Sequence, residues 1–124
     1  MKQTFFESFQ KLLSQNLAKY LPQSGECEPL TSIVCTKIYE TIYQTVVYVL
    51  ENSEVKISNE SVNYVSQQYY DGVLINGNQE LDPNIFEKRA KLDNVCNKDL
   101  LVIASLLDGT DFKYPVLEVL KRRN

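Results

Sequence analysis

The sequence predicts an all-α protein, a compact bundle of about five to six helices around a long central helix at 30–52, with at most a minor β element near 55–57 or 73–75. Three observations predict it. Apolar residues recur at three- and four-residue steps through most of the chain, the spacing that lines one face of a helix. The 4 Gly and 4 Pro fall mostly between those periodic segments, where they punctuate rather than interrupt. Hydrophobic residues make up 44% and charged residues 23% of 124 residues, the balance of a globular chain. A chain of this size buries roughly two thirds of the surface its unfolded form exposes, so it folds without metal or disulfide. No repeat, low-complexity tract or long linker divides it, and one helical domain over 1–124 is expected.

The first helix is expected at 4–21, burying Phe5, Phe9, Leu12, Leu13, Leu17 and Tyr20, with Thr4 and Glu7 as a capping box and Pro22 as its stop. A loop follows at 22–29. In 30–52, eleven Val, Ile or Thr residues favour a strand on propensity, yet Val34, Ile38, Ile42 and Val46 keep helical spacing. Cys35, Tyr39, Tyr43 and Leu50 flank that stripe, and Lys37, Glu40, Thr41, Gln44 and Tyr48 gather on the opposite arc. Periodicity decides for one long, buried helix. Ser58 or Asn59 caps a helix ending near Asp71, with Val62, Val65 and Tyr69 inward and Gly72 as its C′ residue. Asp82-Pro83 opens a helix burying Ile85, Phe86, the Arg89 stem and Leu92. Asn97 caps a helix at 98–107 with Leu100, Leu101, Ile103, Ala104 and Leu107 inward and Gly109 ending it. Pro115 opens the last, with Val116, Leu117, Val119 and Leu120 as its apolar side.

Composition excludes several chemistries. With His 0, no imidazole triad, His-bearing zinc site or His pH switch can be built. The net charge of −3 is concentrated in 31–80, where two Lys face six acids. Phosphate-backbone binding needs a basic face, so nucleic acid is disfavoured. The one basic run, Lys121-Arg122-Arg123, reads as a complement to a helix dipole. Cys27, Cys35 and Cys96 form no CxxC pair and are too few for a closed zinc site, so they read as free thiols in a reducing cytoplasm. Glu7, Gln10 and Lys11 break any signal-peptide core, and no apolar run is long enough to span a membrane. Ten Lys against three Arg, with ten Asn, suggest an AT-rich genome such as that of a phage or mobile element.

Asp108-Gly109-Thr110-Asp111 resembles part of the Asp-x-Asp-Gly-Thr loop of haloacid-dehalogenase-like phosphatases, whose first Asp is the nucleophile. That position is Leu106 here, so the stretch reads as a helix end and a polar turn. The order of elements over 4–71 resembles a histone fold, a likeness of element lengths that implies dimerisation through the central helix. Eight tyrosines stand out, six of them between Tyr39 and Tyr70, in the acidic part of the chain. Tyrosine buries area while offering a hydroxyl and is enriched at protein interfaces.

These features lead to the expectation of a small non-enzymatic protein-binding module, an adaptor, chaperone or inhibitor, with another protein or a second copy as partner. The candidate contact residues are Tyr43, Tyr48, Glu51, Glu54, Tyr64 and Tyr70. No catalytic, cofactor-binding or metal-ligating residue is assigned. The alternatives are a histone-fold-like dimer in a nucleoprotein complex and a helical bundle that binds a small ligand.

Overall fold

The computed structural model describes residues 2–20, 32–74 and 85–123, with side chains for 9–20, 32–71 and 89–123. Six helices and no strand are present among them: α1 (Lys2–Leu17), α2 (Ser32–Asn52), α3 (Asn59–Leu74), α4 (Ile85–Leu92), α5 (Asn97–Leu106) and α6 (Lys113–Arg123). The protein is all-α. The chain divides into two compact units, Met1–Lys56 and Ile57–Asn124. That division cuts the 4–71 stretch whose element order resembles a histone fold, and it groups α3 with α4–α6.

In the first unit α1 packs on α2. Phe9, Leu13 and Leu17 from α1 and Ile38, Ile42, Val46, Val49 and Leu50 from α2 are buried. The α2 stripe is the predicted one, widened to include Val49, and Tyr48 lies on the exposed arc. The pair runs antiparallel: Asn16 Nδ2 donates to Thr45 Oγ1 at 3.0 Å, while Tyr20, beyond the end of α1, bonds Thr41 one turn earlier on α2. The helix α1 begins at Lys2, so Thr4 lies inside it and does not cap it. Pro22 and the loop at 22–29 fall outside the described residues.

The end of α2 is a Schellman turn. Glu54 N–H donates to Glu51 O at 3.2 Å and Val55 N–H to Leu50 O at 3.0 Å, with Glu54 in the left-handed region at φ 57°. Val55 is thus consumed in closing a helix, and residues 55–57 form no strand. The other β candidate is corrected too: α3 continues through Leu74, so Gly72, Val73 and Leu74 are helical and Gly72 does not end the helix.

In the second unit α3 packs on α5, and α5 and α4 pack on α6. Two bonds give the direction of the first pair. Ser61 near the start of α3 reaches Asp99 in the first turn of α5, and the Tyr69 hydroxyl, two turns on, donates to Leu106 O at the far end. These two helices therefore run parallel. Arg89–Glu118 at 3.8 Å and Arg122–Asp93 at 2.6 Å likewise align α4 with α6. Leu92, Leu100, Ile103, Leu106, Leu107 and Val116 are fully buried between them.

Three further expectations are corrected here. The N-cap of α5 is Cys96, with Asn97 its first helical residue and no side-chain cap bond. Leu100, Ile103, Ala104 and Leu107 of α5 are buried as expected, but Leu101 is exposed, whereas Leu106 and Asp99 are buried. In α6, which starts two residues before Pro115, Leu117 points to solvent and Pro115 itself is buried. Proline is accommodated there because the first turn of a helix has no intrahelical acceptor to satisfy.

Candidate functional site

Two polar constellations emerge from this fold, and the sequence alone assembles neither. The first is a cluster at the start of α3. Ser58 caps that helix: its hydroxyl accepts from Ser61 N–H at 3.2 Å and its carbonyl from Val62 N–H at 3.1 Å. The Ser58 and Ser61 hydroxyls lie 2.8 Å apart. Oδ2 of Asp99 then accepts from Ser58 N–H and from the Ser61 hydroxyl, both at 3.0 Å. Burial of Asp99 pushes its carboxyl pKa up, but the bonds from the Ser58 amide, Ser61, Cys96 and the Ser58 hydroxyl outweigh it, and the net pKa is lowered. Asp99 thus accepts through one oxygen from both the cap residue and the third residue of α3. It ties the first turn of α5 to the cap of α3.

The second is an open groove of about 510 Å³ along the α1–α2 pair. Leu12 and Tyr48 line one end, Gln15, Asn16, Gln44 and Thr45 the middle, and Lys19, Tyr20 and Thr41 the other. The antiparallel register produces this order, since residues ascending α1 meet residues descending α2. In the middle, Thr45 is 2% exposed and its hydroxyl donates to Thr41 O at 2.7 Å while accepting from Asn16. Asn16 is thereby fixed, and Gln15 and Gln44 remain as exposed carboxamides. At the Lys19 end the ammonium lies 5.1 Å from the Tyr20 ring centroid, a cation–π contact. The Tyr20 phenol pKa is lowered, chiefly by the bond with Thr41; burial opposes this, and Lys19 and Lys37 add to it. On the other side of α2, burial and the neighbouring Tyr43 raise the Tyr39 pKa.

The predicted contact residues divide between the two units. Tyr48, at 57% exposure, Glu51 and Glu54 are exposed on the first unit, and Tyr43 there is half-buried. Tyr64 is buried and Tyr70 half-buried on α3 in the second. Only Tyr48 lines the groove. Tyr20, Gln15 and Lys19 were not predicted as site residues, because nothing in the spacing of α1 indicates which face of α2 it will meet.

Two residues of the basic tail, Arg122 and Arg123, are engaged within the fold, and Lys121 is exposed. Arg123 donates to Val95 O and Asp93 O at 2.6 Å each, to Asn97 Oδ1 at 2.8 Å and to Leu92 O at 3.4 Å. Its charge complements the negative end of α4, a neighbouring helix, as well as that of its own. The Asp108–Asp111 stretch is a turn, with Gly109 at φ 85°, Thr110 bonded back to Leu107 O, and Lys113 2.6 Å from Asp108. Among the described residues no group of three His, Cys, Asp or Glu side chains could hold a metal ion, and no helix is long and apolar enough to cross a membrane. Comparison with protein-family models, curated proteins and solved structures finds no match to this chain.

Proposed function

We propose that this chain is a small non-enzymatic protein-binding module, an adaptor, chaperone or inhibitor acting in the cytoplasm through the tyrosine-bearing surface of α2. The observation that carries the reading is Tyr48. A large aromatic residue more than half exposed, at the lip of a groove with two free-standing carboxamides, is the chemistry of protein recognition. Glu54, exposed at the C-terminal end of the same helix in the left-handed region, adds a carboxylate to this surface.

The test is capture by the tagged chain from lysate of its source cell, with and without nuclease, beside a Tyr48→Ala variant. A stoichiometric protein that survives nuclease and is lost with Tyr48→Ala, at an unchanged melting temperature, is the expected result. Recovery that depends on nucleic acid, or a partner indifferent to Tyr48, overturns it. A second copy of the chain as the captured species would make the module a homo-oligomer.

A further inference from the structure

Among the described residues five large apolar side chains are exposed, and three of them, Leu101, Tyr114 and Leu117, belong to α5 and α6. Bonds at both ends of this helix pair show how they sit together. Arg123 near the end of α6 reaches Asn97 at the start of α5, and Lys113 at the start of α6 reaches Asp108 just past the end of α5. The two helices therefore run antiparallel, and Leu101 falls level with Leu120. Leu101 lies one turn from Asn97, and Lys113, Leu117 and Leu120 follow one another at four and three residues, so both stripes border the seam between the helices. Tyr114 stands one turn from Leu117. Together with the half-buried Val102 and Leu120 they form one apolar strip along the outside of the pair. Apolar residues scattered singly over a surface need no explanation, but a contiguous strip does.

The charges around the strip are sorted by end. Lys98 and Lys121 are exposed where α5 begins and α6 ends, and neither has an acidic partner among the described residues. At the same end Arg123 is bonded to main-chain carbonyls, and Arg122 is balanced by Asp93. At the other end Asp108 and Asp111 face the single lysine Lys113. No charge interrupts the strip between them. Glu118 is turned to Arg89 of α4, and α3 meets α5 through Asp99 and Leu106, about half a turn round the helix from Leu101.

Such a surface complements itself. A second copy, related by a two-fold axis that crosses the helices, lays its basic end on the acidic end of the first. Each α5 then lies antiparallel on the α5 of the other copy, with Lys98 against Asp108. The midpoint of that pairing is level with Leu117, which meets the Leu117 of the other copy, and Lys121 comes over the Tyr114 ring as a cation–π pair. A two-fold axis along the helices would instead stack Lys98 on Lys121 and is opposed by like charge.

We infer that the α5–α6 strip is a two-fold self-association surface for a second copy of this chain, independent of the α2 surface proposed above. The strip covers roughly 15 Å by 20 Å, two helix diameters wide. That is well below the ~800 Å² per partner of a stable complex, so the dimer is an exchanging one that forms at concentrations on the order of 100 μM.

The test is sedimentation equilibrium of the isolated full chain from about 10 μM to about 1 mM. A mean mass that rises toward twice that of one chain is expected. Leu101→Gln, at an exposed position, should weaken association roughly tenfold, and Lys37→Glu, on the exposed arc of α2, should not. Lys98→Glu and Asp108→Lys should each weaken it alone, since each brings like charges together at both contacts. Mixed in equal amounts, the two variants should associate again, because both contacts of the mixed pair join opposite charges. Circular dichroism confirms that each variant is folded. A single-chain mass at every concentration, indifference to Leu101→Gln, or a mixture no stronger than its components overturns the inference.

Discussion

The Ser61 hydroxyl donates to Asp99 Oδ2 at 3.0 Å across 38 positions of sequence, and through this bond the first turn of α5 caps the first turn of α3. An acid at the third position of a helix ordinarily reaches back to its own cap. Here Asp99 is bonded by the side chain of Cys96, the cap of its own helix, and accepts as well from Ser58 and Ser61 of the neighbouring one. One buried carboxylate thus sets the register of two parallel helices.

Asp99 makes stability depend on acid. Its folded pKa lies below the ordinary value of 3.8, so its contribution is complete above that value and is lost as pH falls through the folded pKa. Asp99→Asn should cost about 2 kcal/mol at pH 7, the scale of hydrogen bonds to a charged group. In urea titrations at pH 7 and pH 3, the gap between wild type and variant should narrow at the lower pH. A gap that stays constant would mean that the carboxylate is not the stabilising species.

Glu54 should be improvable. Replacing a left-handed non-glycine residue at a helix C′ position by glycine relieves roughly 1 kcal/mol of strain. Glu54→Gly is therefore expected to raise the melting temperature by a few degrees. If the partner surface includes Glu54, the same variant will bind the captured protein less tightly.

Gln68 carries the opposite defect. It is 2% exposed and its Oε1 has no hydrogen-bond partner among the described residues. An unsatisfied buried carbonyl costs about 1–3 kcal/mol, so Gln68→Met, which keeps the shape and removes the polar atoms, should stabilise the chain by about 1 kcal/mol. Chemical denaturation measures this directly, and a destabilised variant would show that the amide is satisfied in solution.

Lys121 and Arg123 lie on either side of Arg122 but differ in work. Arg123→Gln removes the donors that close the C-terminal end of α4 and should cost about 1 kcal/mol, with faster amide exchange at Asp93 and Val95. Lys121→Gln, at an exposed position, should change neither. Equal effects would mean that the tail acts only through its net charge.

The helical class and the face of α2 were legible because both are local. Ile38, Ile42 and Val46 repeat at four-residue steps, and a helix places such residues on one side whatever it packs against. Leu100, Ile103, Ala104 and Leu107 of α5 are buried as the spacing indicates, but Leu101 is not: the helix turns Asp99 inward to meet Ser61, which carries Leu106 in and Leu101 out. Hydrophobic pattern contains no information about a buried carboxylate whose partners lie forty residues away.

The residues themselves therefore determine which segments wind into helices, roughly where they stop, and which chemistries a chain without histidine cannot perform. Docking alone determines that Asn16 meets Thr45, that Arg123 caps α4, and that Leu12, Gln15 and Lys19 line a groove with Tyr48. Helix formation is governed by contacts three or four residues apart, whereas these pairings depend on how whole helices slide and rotate against one another. That adjustment is settled by packing and by the burial of a few polar groups.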